Sequence, residues 1–321
     1  MKLIIQIPCY NEEETLPVTF ADLPKKIEGI DEIEYLIIND GSKDKTVEVA
    51  KELGVHHIVN FSSNRGLAKG FMAGINECLK LGADIIVNTD ADNQYCGMDV
   101  EKLVRPILES NAEMVIGERP INNIDDFSFL KKRLQRLGSW VVRVVSNTKV
   151  PDAPSGFRAY SRECAMKLNV VSSYTYTLET IIQAGQNSMN VVSVQIRTNP
   201  KTRESRLFSS MWKYIQRSVN TIIRIFAFYK PMRFFSSIAL VFLLIGICLL
   251  MRFGINIYIL GAGVGRTYIP SVIVGTSSII ISIILLMFGF LADVISKGRK
   301  LQEEILYRLR KNELDGINNE K

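Results

Sequence analysis

Ile85-Ile86-Val87-Asn88-Thr89-Asp90-Ala91-Asp92-Asn93-Gln94 is the stretch on which the reading of this chain turns. It opens with three apolar residues in a row, with no polar alternation. That is the pattern of a short strand buried on both faces, as in a parallel sheet covered by helices. It then breaks into a polar turn carrying carboxylates at i and i+2. In open parallel sheets, ligands gather at the carboxyl ends of the strands, so the position of those two acids matters more than their identity.

Working outward, three more strand-length apolar runs occur at residues 3–7, 35–38 and 114–116. Polar residues follow each of them: Tyr10-Asn11-Glu12, Asp40-Gly41-Ser42 and Glu118-Arg119. Helix-like stretches lie between, at residues 44–53, 68–81 and 100–109. Strands alternating with helices predict parallel βαβ units and an α/β, Rossmann-like domain. The four polar groups are then expected to converge on one crevice.

Beyond residue 205 the character changes. Residues 209–230 are amphipathic, with Trp212, Ile215, Val219, Ile222, Ile223 and Phe226 near helical spacing, which suits a helix lying in a membrane interface. Residues 234–251 and 269–294 are apolar stretches that approach or exceed the length of about 20 residues a bilayer needs. Two transmembrane helices in a hairpin are expected. Arg224, Lys230 and Arg233 precede the first and Lys297, Arg299 and Lys300 follow the second, whereas the link holds only Arg252 and Arg266. By the positive-inside rule both ends face the cytoplasm. Met1-Lys2 leads directly into a five-residue apolar run, too short for a signal peptide, which predicts a catalytic part that begins inside the cell. The expected organisation is a catalytic domain over 1–205, an amphipathic juxtamembrane region over 206–233, two spans within 234–295 and a charged cytoplasmic tail over 296–321.

The formal net charge is +6, with much of the excess between Lys131 and Arg233. A basic stretch beside a membrane span suits anionic lipid. No nucleic-acid module signature accompanies it, so nucleic acid is not an expected partner. The five cysteines, Cys9, Cys78, Cys96, Cys164 and Cys248, show no CxxC and no zinc spacing, which reads as packing residues in a reducing environment. His56 and His57 lie away from every motif and read as surface residues.

Two carboxylates at Asp90 and Asp92 can offer oxygen ligands to a hard cation, with Gln94 as a further oxygen and phosphate oxygens completing the shell. Such a cation neutralises charge on a leaving diphosphate. A carboxylate at Asp40 can accept hydrogen bonds from a base or ribose, or cap the helix beginning near Thr46. Tyr10 can stack on a base, whereas Glu12 can simply favour a helix start. Asp152 has two readings: it orients an acceptor or sugar, or it caps a turn between Pro151 and Pro154.

In order, the chain contains Pro8-x-Tyr10-Asn11-Glu12, Asn39-Asp40-Gly41-Ser42, Asp90-Ala91-Asp92-x-Gln94, Ile116-Gly117-x-Arg119 and Ser155-Gly156-Phe157-Arg158-Ala159-Tyr160. This resembles glycosyltransferase family 2, in its polyprenyl-phosphate branch of dolichol-phosphate mannosyltransferases and undecaprenyl-phosphate glucosyltransferases. The resemblance covers about the first half of the chain, and the hairpin is similar to that of membrane-anchored members. It implies a GT-A fold and metal-dependent, inverting transfer of a sugar from a nucleotide-sugar donor to a polyprenyl phosphate. It also implies nucleotide contacts at Pro8, Tyr10, Glu12, Asp40 and Ala91, and a Mg or Mn ion with diphosphate at Asp90, Asp92 and Gln94. Arg119 would touch a phosphate, with Lys132 and Arg136 as candidates for the acceptor phosphate. Near the membrane the family's Gly-Glu-Ser-Lys segment is altered to Arg203-Glu204-Ser205-Arg206. A glycan-extending synthase would carry Gln-x-x-Arg-Trp after the acidic motif; here Gln135 and Trp140 are separated by four residues. A non-catalytic nucleotide-binding scaffold would be expected to have lost its carboxylates. The sugar and the oligomeric state are not written in the sequence, although apolar hairpins often self-associate.

Overall fold

The computed structural model describes residues 1–120, 129–170, 176–200, 211–259 and 269–319. Among these, two compact units form: Met1–Ser218 with Glu303–Lys321, and Val219–Gln302. The last helix contributes residues to both units.

The first unit is built on seven strands, β1 Lys2–Cys9, β2 Glu32–Asn39, β3 His57–Asn60, β4 Ile85–Asn88, β5 Met114–Glu118, β6 Arg158–Ser161 and β7 Val191–Gln195, in the order β3-β2-β1-β4-β6-β5-β7. The four apolar runs read from sequence are β1, β2, β4 and β5. Leu3, Ile4, Ile5 and Ile7 are all fully buried, as expected when helices cover both faces. Each such side chain contributes about 1.5–3 kcal/mol. Helices α1 Leu16–Asp22, α2 Thr46–Glu52, α3 Leu67–Lys80 and α4 Val100–Leu108 connect the strands, followed by α5 Phe129–Ser146, α6 Arg162–Lys167 and α7 Thr177–Gln186.

The sheet is mixed, which corrects the expectation of purely parallel units. Strand β6 runs antiparallel between β4 and β5. Its first residue, Arg158, pairs with Asn88, the last residue of β4, and with Ile116, two residues before the end of β5. The loop that precedes β6 therefore arrives at the same edge as the polar turns after β1, β2, β4 and β5. β7, parallel to β5, sends residues 196–199 to that edge as well.

In the second unit, α9 Pro231–Gly254 and the first part of α10 Ile269–Asn319 pack together. Both helices are long and apolar enough to cross a membrane by length and composition. Their backbones meet at Gly246 and Gly275: a Cβ on Gly246 would lie 2.8 Å from the Gly275 carbonyl oxygen. Ser282 donates its hydroxyl to the Ala239 carbonyl at 2.8 Å. Small residues and an interhelical hydrogen bond are how apolar helices associate where solvent offers no hydrophobic drive. Most large side chains elsewhere on the pair, such as Leu244, Met287 and Phe290, are exposed. Helix α8 Met211–Tyr229 precedes this unit's first long helix and covers the amphipathic stretch.

The charged segment from 296 continues α10 without a break to Asn319. Within the first unit, Tyr307 donates to Glu163 at 2.8 Å, and Arg310 donates to the carbonyls of Met166 and Leu168 at 2.7 and 3.0 Å. Arg310 thus satisfies carbonyls that the end of α6 leaves open.

Candidate active site

The crevice is assembled from strand ends. After β1, Asn11 takes φ +56°, and its amide donates to Ser42 Oγ at 3.0 Å while its side-chain oxygen accepts from the Lys43 amide at 2.8 Å. Glu12 is buried, accepts from Thr15 Oγ1 at 2.6 Å, and donates its amide to Thr46 Oγ1 at 2.9 Å. Tyr10 is 39% exposed. Pro8, in the same strand, is half-buried.

Asp40 has a structural task that its sequence context did not reveal. Its carboxylate accepts the backbone amides of Arg65 and Gly66 at 2.6 and 3.0 Å, folding the loop after β3 against the β2 turn. The approach requires Gly41: its φ is +70°, and a Cβ there would come within 2.5 Å of the Ser63 carbonyl carbon. The capping role proposed as an alternative falls instead to Asp44, which accepts the Thr46 amide at 3.1 Å.

Asp90 and Asp92 follow β4. Burial and the neighbouring Asp92 charge push the Asp90 carboxyl up to about 7, against the pull of Arg119 and Arg158. Asp92 accepts the Gln94 amide at 3.2 Å, closing a tight turn. Gly156, from the loop before β6, lies directly against Asp90, with its would-be Cβ 3.0 Å from an Asp90 oxygen. Any side chain at 156 would occupy the space in front of the carboxylate. The Gly156 amide donates to Tyr95 Oη at 3.0 Å, and burial pushes the Tyr95 phenol up, so it stays protonated.

Among the described residues no group of three or more His, Cys, Asp or Glu side chains is placed to hold a metal by itself. Two carboxylates near enough for the charge of one to act on the other suit a cation that takes the rest of its shell from a diphosphate and water. The donor set therefore fits the implied ion when it arrives with its nucleotide.

Arg119, at the end of β5, forms a two-pronged pair with Asp152: Nε to Oδ2 at 2.7 Å and Nη2 to Oδ1 at 2.9 Å. Asp152 is fully buried. Burial opposes the Arg119 charge, yet the Asp152 carboxylate, by hydrogen bond and charge, and Asp90 hold its pKa above the ordinary guanidinium value. Beside the two readings of Asp152 the structure adds a contact neither contained: its carboxylate fixes the Arg119 guanidinium. Lys132 and Arg136 sit on α5, but their side chains lie outside the described residues, as does the whole of Arg203-Glu204-Ser205-Arg206.

Three residues beneath the crevice carry weight that local sequence did not signal. Asn88 is buried and donates to Gly156 O at 2.9 Å and Tyr176 Oη at 2.8 Å, while accepting from Gln6 at 2.9 Å. Tyr176 stacks on Phe71 with ring centroids 4.0 Å apart. Arg158, fully buried, donates to the carbonyls of Ala153, Ser155 and Thr177 and to Thr180 Oγ1, all within 2.6–2.7 Å. It ties the loop before β6 to the start of α7. The available signal for Arg158 was its place in the Ser155–Tyr160 motif. By contrast His57 pairs with Glu34 at 2.9 Å on the distant edge of β3. Cys9, Cys78 and Cys164 are buried, with burial pushing their thiols well up.

A mixed sheet with β6 antiparallel, an acidic turn after β4 and an arginine after β5 defines a GT-A type nucleotide-sugar-binding domain. Residues 4–168 match the model of glycosyl transferase family 2, and the chain belongs to that family. Over 214 residues it is 30% identical to the UDP-N-acetylglucosamine–dolichyl-phosphate N-acetylglucosaminyltransferase of Methanococcus voltae, covering 60% of this chain and 83% of the relative. Over 206 residues it is 25% identical to the polyprenol monophosphomannose synthase of Mycolicibacterium smegmatis, covering 61% and 76%. The fold also matches the crystal structure of glucosyl-3-phosphoglycerate synthase from Mycobacterium tuberculosis with Mn2+, UDP and phosphoglyceric acid. The TM-score is 0.55 at 16% identity, covering 70% of this chain and 77% of the other.

Proposed function

We propose that this chain transfers one sugar from a nucleotide-sugar donor to a polyprenyl phosphate at the cytoplasmic membrane face, with inversion at the anomeric carbon. The observation that carries the reading is the convergence of Asp90, Asp92 and the Asp152-aimed Arg119 at one sheet edge. Relatives named for dolichyl and polyprenol phosphate support the acceptor class. The two long apolar helices support residence in the bilayer where such a lipid dissolves, and the flanking basic residues support cytoplasmic ends.

In this reading Pro8, Tyr10, Glu12, Asp40 and Ala91 contact the nucleotide, with Asp40 acting through the loop it folds as well as by its own oxygens. Asp90, Asp92 and Gln94 hold a divalent ion, Mg or Mn. That ion supplies electrostatic stabilisation of the charge developing on the departing nucleoside diphosphate. Arg119, with Lys132 and Arg136, holds the acceptor phosphate. A phosphate monoester has a second pKa of about 6, so most of it is already a dianion near neutral pH. Its oxygen attacks the anomeric carbon as the bond to the diphosphate breaks on the opposite face. Such a nucleophile needs aim more than a strong base, and a guanidinium fork provides aim.

Asp152→Asn keeps the shape but loses the charge that orients Arg119. Transfer is expected to fall about 100-fold, as happens when one preorganised electrostatic partner is removed. Arg119→Lys should behave similarly, because a point charge does not reproduce the fork. Wild-type rates in both variants would show that the pair serves only the fold. The functional proposal itself is tested by incubating the purified full chain with polyprenyl phosphate, Mn2+ or Mg2+, and a panel of radiolabelled UDP- and GDP-sugars. One donor is expected to label the lipid; no label from any donor would refute it.

A further inference from the structure

The turn that carries Asp90 and Asp92 leaves the sheet after Asn88, and backbone holds it only at its ends: the Thr89 amide donates to the Gln6 carbonyl at 3.1 Å, and Tyr95 forms an isolated antiparallel bridge with Thr198. Between those ends it is held by side chains from two other elements. Thr19, on α1, donates its hydroxyl to the Ala91 carbonyl at 2.9 Å. Asp22 lies three residues on, hence on the same helix face, and accepts the Gly97 amide at 2.5 Å. Asn199, four residues past β7, supplies the rest. Its carboxamide nitrogen lies 3.2 Å from Asn93 Oδ1, 3.2 Å from the Tyr95 carbonyl and 3.4 Å from Asp22 Oδ2. Its backbone amide donates to the Gln94 carbonyl at 3.0 Å.

The residue it grips is the unusual one. Asn93 has φ +55°, a conformation that persists at a non-glycine position only when the surroundings over-determine it. The grip is itself anchored. Two residues before Asn199, Arg197 is fastened to the buried Asp99 by its amide at 2.6 Å, Nε at 3.0 Å and Nη2 at 2.6 Å.

We propose that Asn199 is a positioning residue for the acidic turn, latching Asn93 and Tyr95 so that the carboxylates of Asp90 and Asp92 are presented together to a cation–diphosphate. The chemistry requires a neutral amide. An NH2 group has two protons to share among the three acceptors, whereas an aspartate would set a carboxylate against Asp22 and the loop carbonyls. Without the latch, a smaller fraction of the turn is in the binding geometry, and the apparent dissociation constant rises as the inverse of that fraction. This inference rests on the reading of Asp90 and Asp92 as cation ligands.

The test measures Mn2+ binding to the full chain in detergent with UDP present, and GDP as the second probe, from the loss of the free-ion electron paramagnetic resonance signal. Asn199→Ala is expected to raise the apparent Mn2+ Kd about tenfold. Its transfer rate should be recovered at saturating Mn2+, and the KM for lipid should stay unchanged. Asn93→Gly removes the gripped oxygen while accommodating the positive φ without strain. It is expected to keep its Tm and show the same rise, and it decides the matter if Asn199→Ala does not fold. An unchanged Mn2+ Kd in Asn93→Gly, or an Asn199→Ala defect that appears in Tm alone, overturns the latch. A wild-type chain that binds no Mn2+ with either nucleotide overturns the cation reading beneath it.

Discussion

Asp92→Asn is expected to lower sugar transfer to polyprenyl phosphate by at least about 100-fold, the loss typical when one preorganised electrostatic group is removed from a site of developing charge. The substitution separates chemistry from folding. Asparagine keeps an oxygen at the same place, so it can still accept the Gln94 amide that closes the turn. What disappears is one of two negative charges that a cation would share with the diphosphate. In the free protein those two charges repel, and Asp90 is raised partly by Asp92. Removing one should therefore leave the Tm unchanged or slightly higher. Lost activity with an intact or improved Tm is the pattern of a site held against its own stability. Activity within tenfold of wild type at saturating Mn2+ would show that Asp92 is a loop acid with no part in transfer, and would favour a non-catalytic role for the crevice.

Arg158→Met is expected to have the largest effect on the fold. The side chain is fully buried, and its guanidinium satisfies three carbonyls and a hydroxyl drawn from two segments. Methionine fills much of the volume but leaves those carbonyls without their donor, and each buried unsatisfied group costs about 1–3 kcal/mol. The loss is partly offset because a charge no longer has to be kept out of water. A net destabilisation of about 3–5 kcal/mol follows, which for a unit of this size corresponds to a Tm lower by roughly 10 °C. Arg158→Lys should recover only part of it, since one ammonium does not span four acceptors. The loop released is the one that places Gly156 against Asp90 and Asp152 against Arg119. Transfer should therefore fail well below the new Tm. Thermal unfolding of the full chain in detergent, followed at one scan rate, measures the shift; a Tm within 2–3 °C of wild type, a shift expected from under about 1 kcal/mol, would mean that the loop holds itself.

Local chemistry made much of this architecture legible. Four of the seven described strands, β1, β2, β4 and β5, announce themselves as short apolar runs, and each ends in a polar group that does reach the crevice edge. Residues 3–7 have to be buried on both faces, and nothing but a covered central strand buries them. The two long apolar helices are equally local: length and composition alone make them candidates to cross a membrane. Strands β3, β6 and β7 lack such runs. His57–Asn60 and Arg158–Ser161 are four residues each, and half of the second is polar.

What the tertiary structure alone decided is the set of partnerships. That β6 runs antiparallel, bringing Gly156 to Asp90 across 66 positions of chain, depends on how the loop after β5 returns to the sheet. No periodicity records that choice. Arg119 finds Asp152, Asp40 finds the amides of Arg65 and Gly66, and Asn199 finds Asn93 across 106 positions. Asp40, Arg119 and Asp152 stood out in the sequence as site candidates, but their partners did not, and Asn93 and Asn199 looked like ordinary turn formers. Element identity follows from burial repeated every two or four residues, which a sequence displays. A hydrogen bond between distant loops needs only one residue at each end, and it acquires its meaning when the sheet has set both ends side by side.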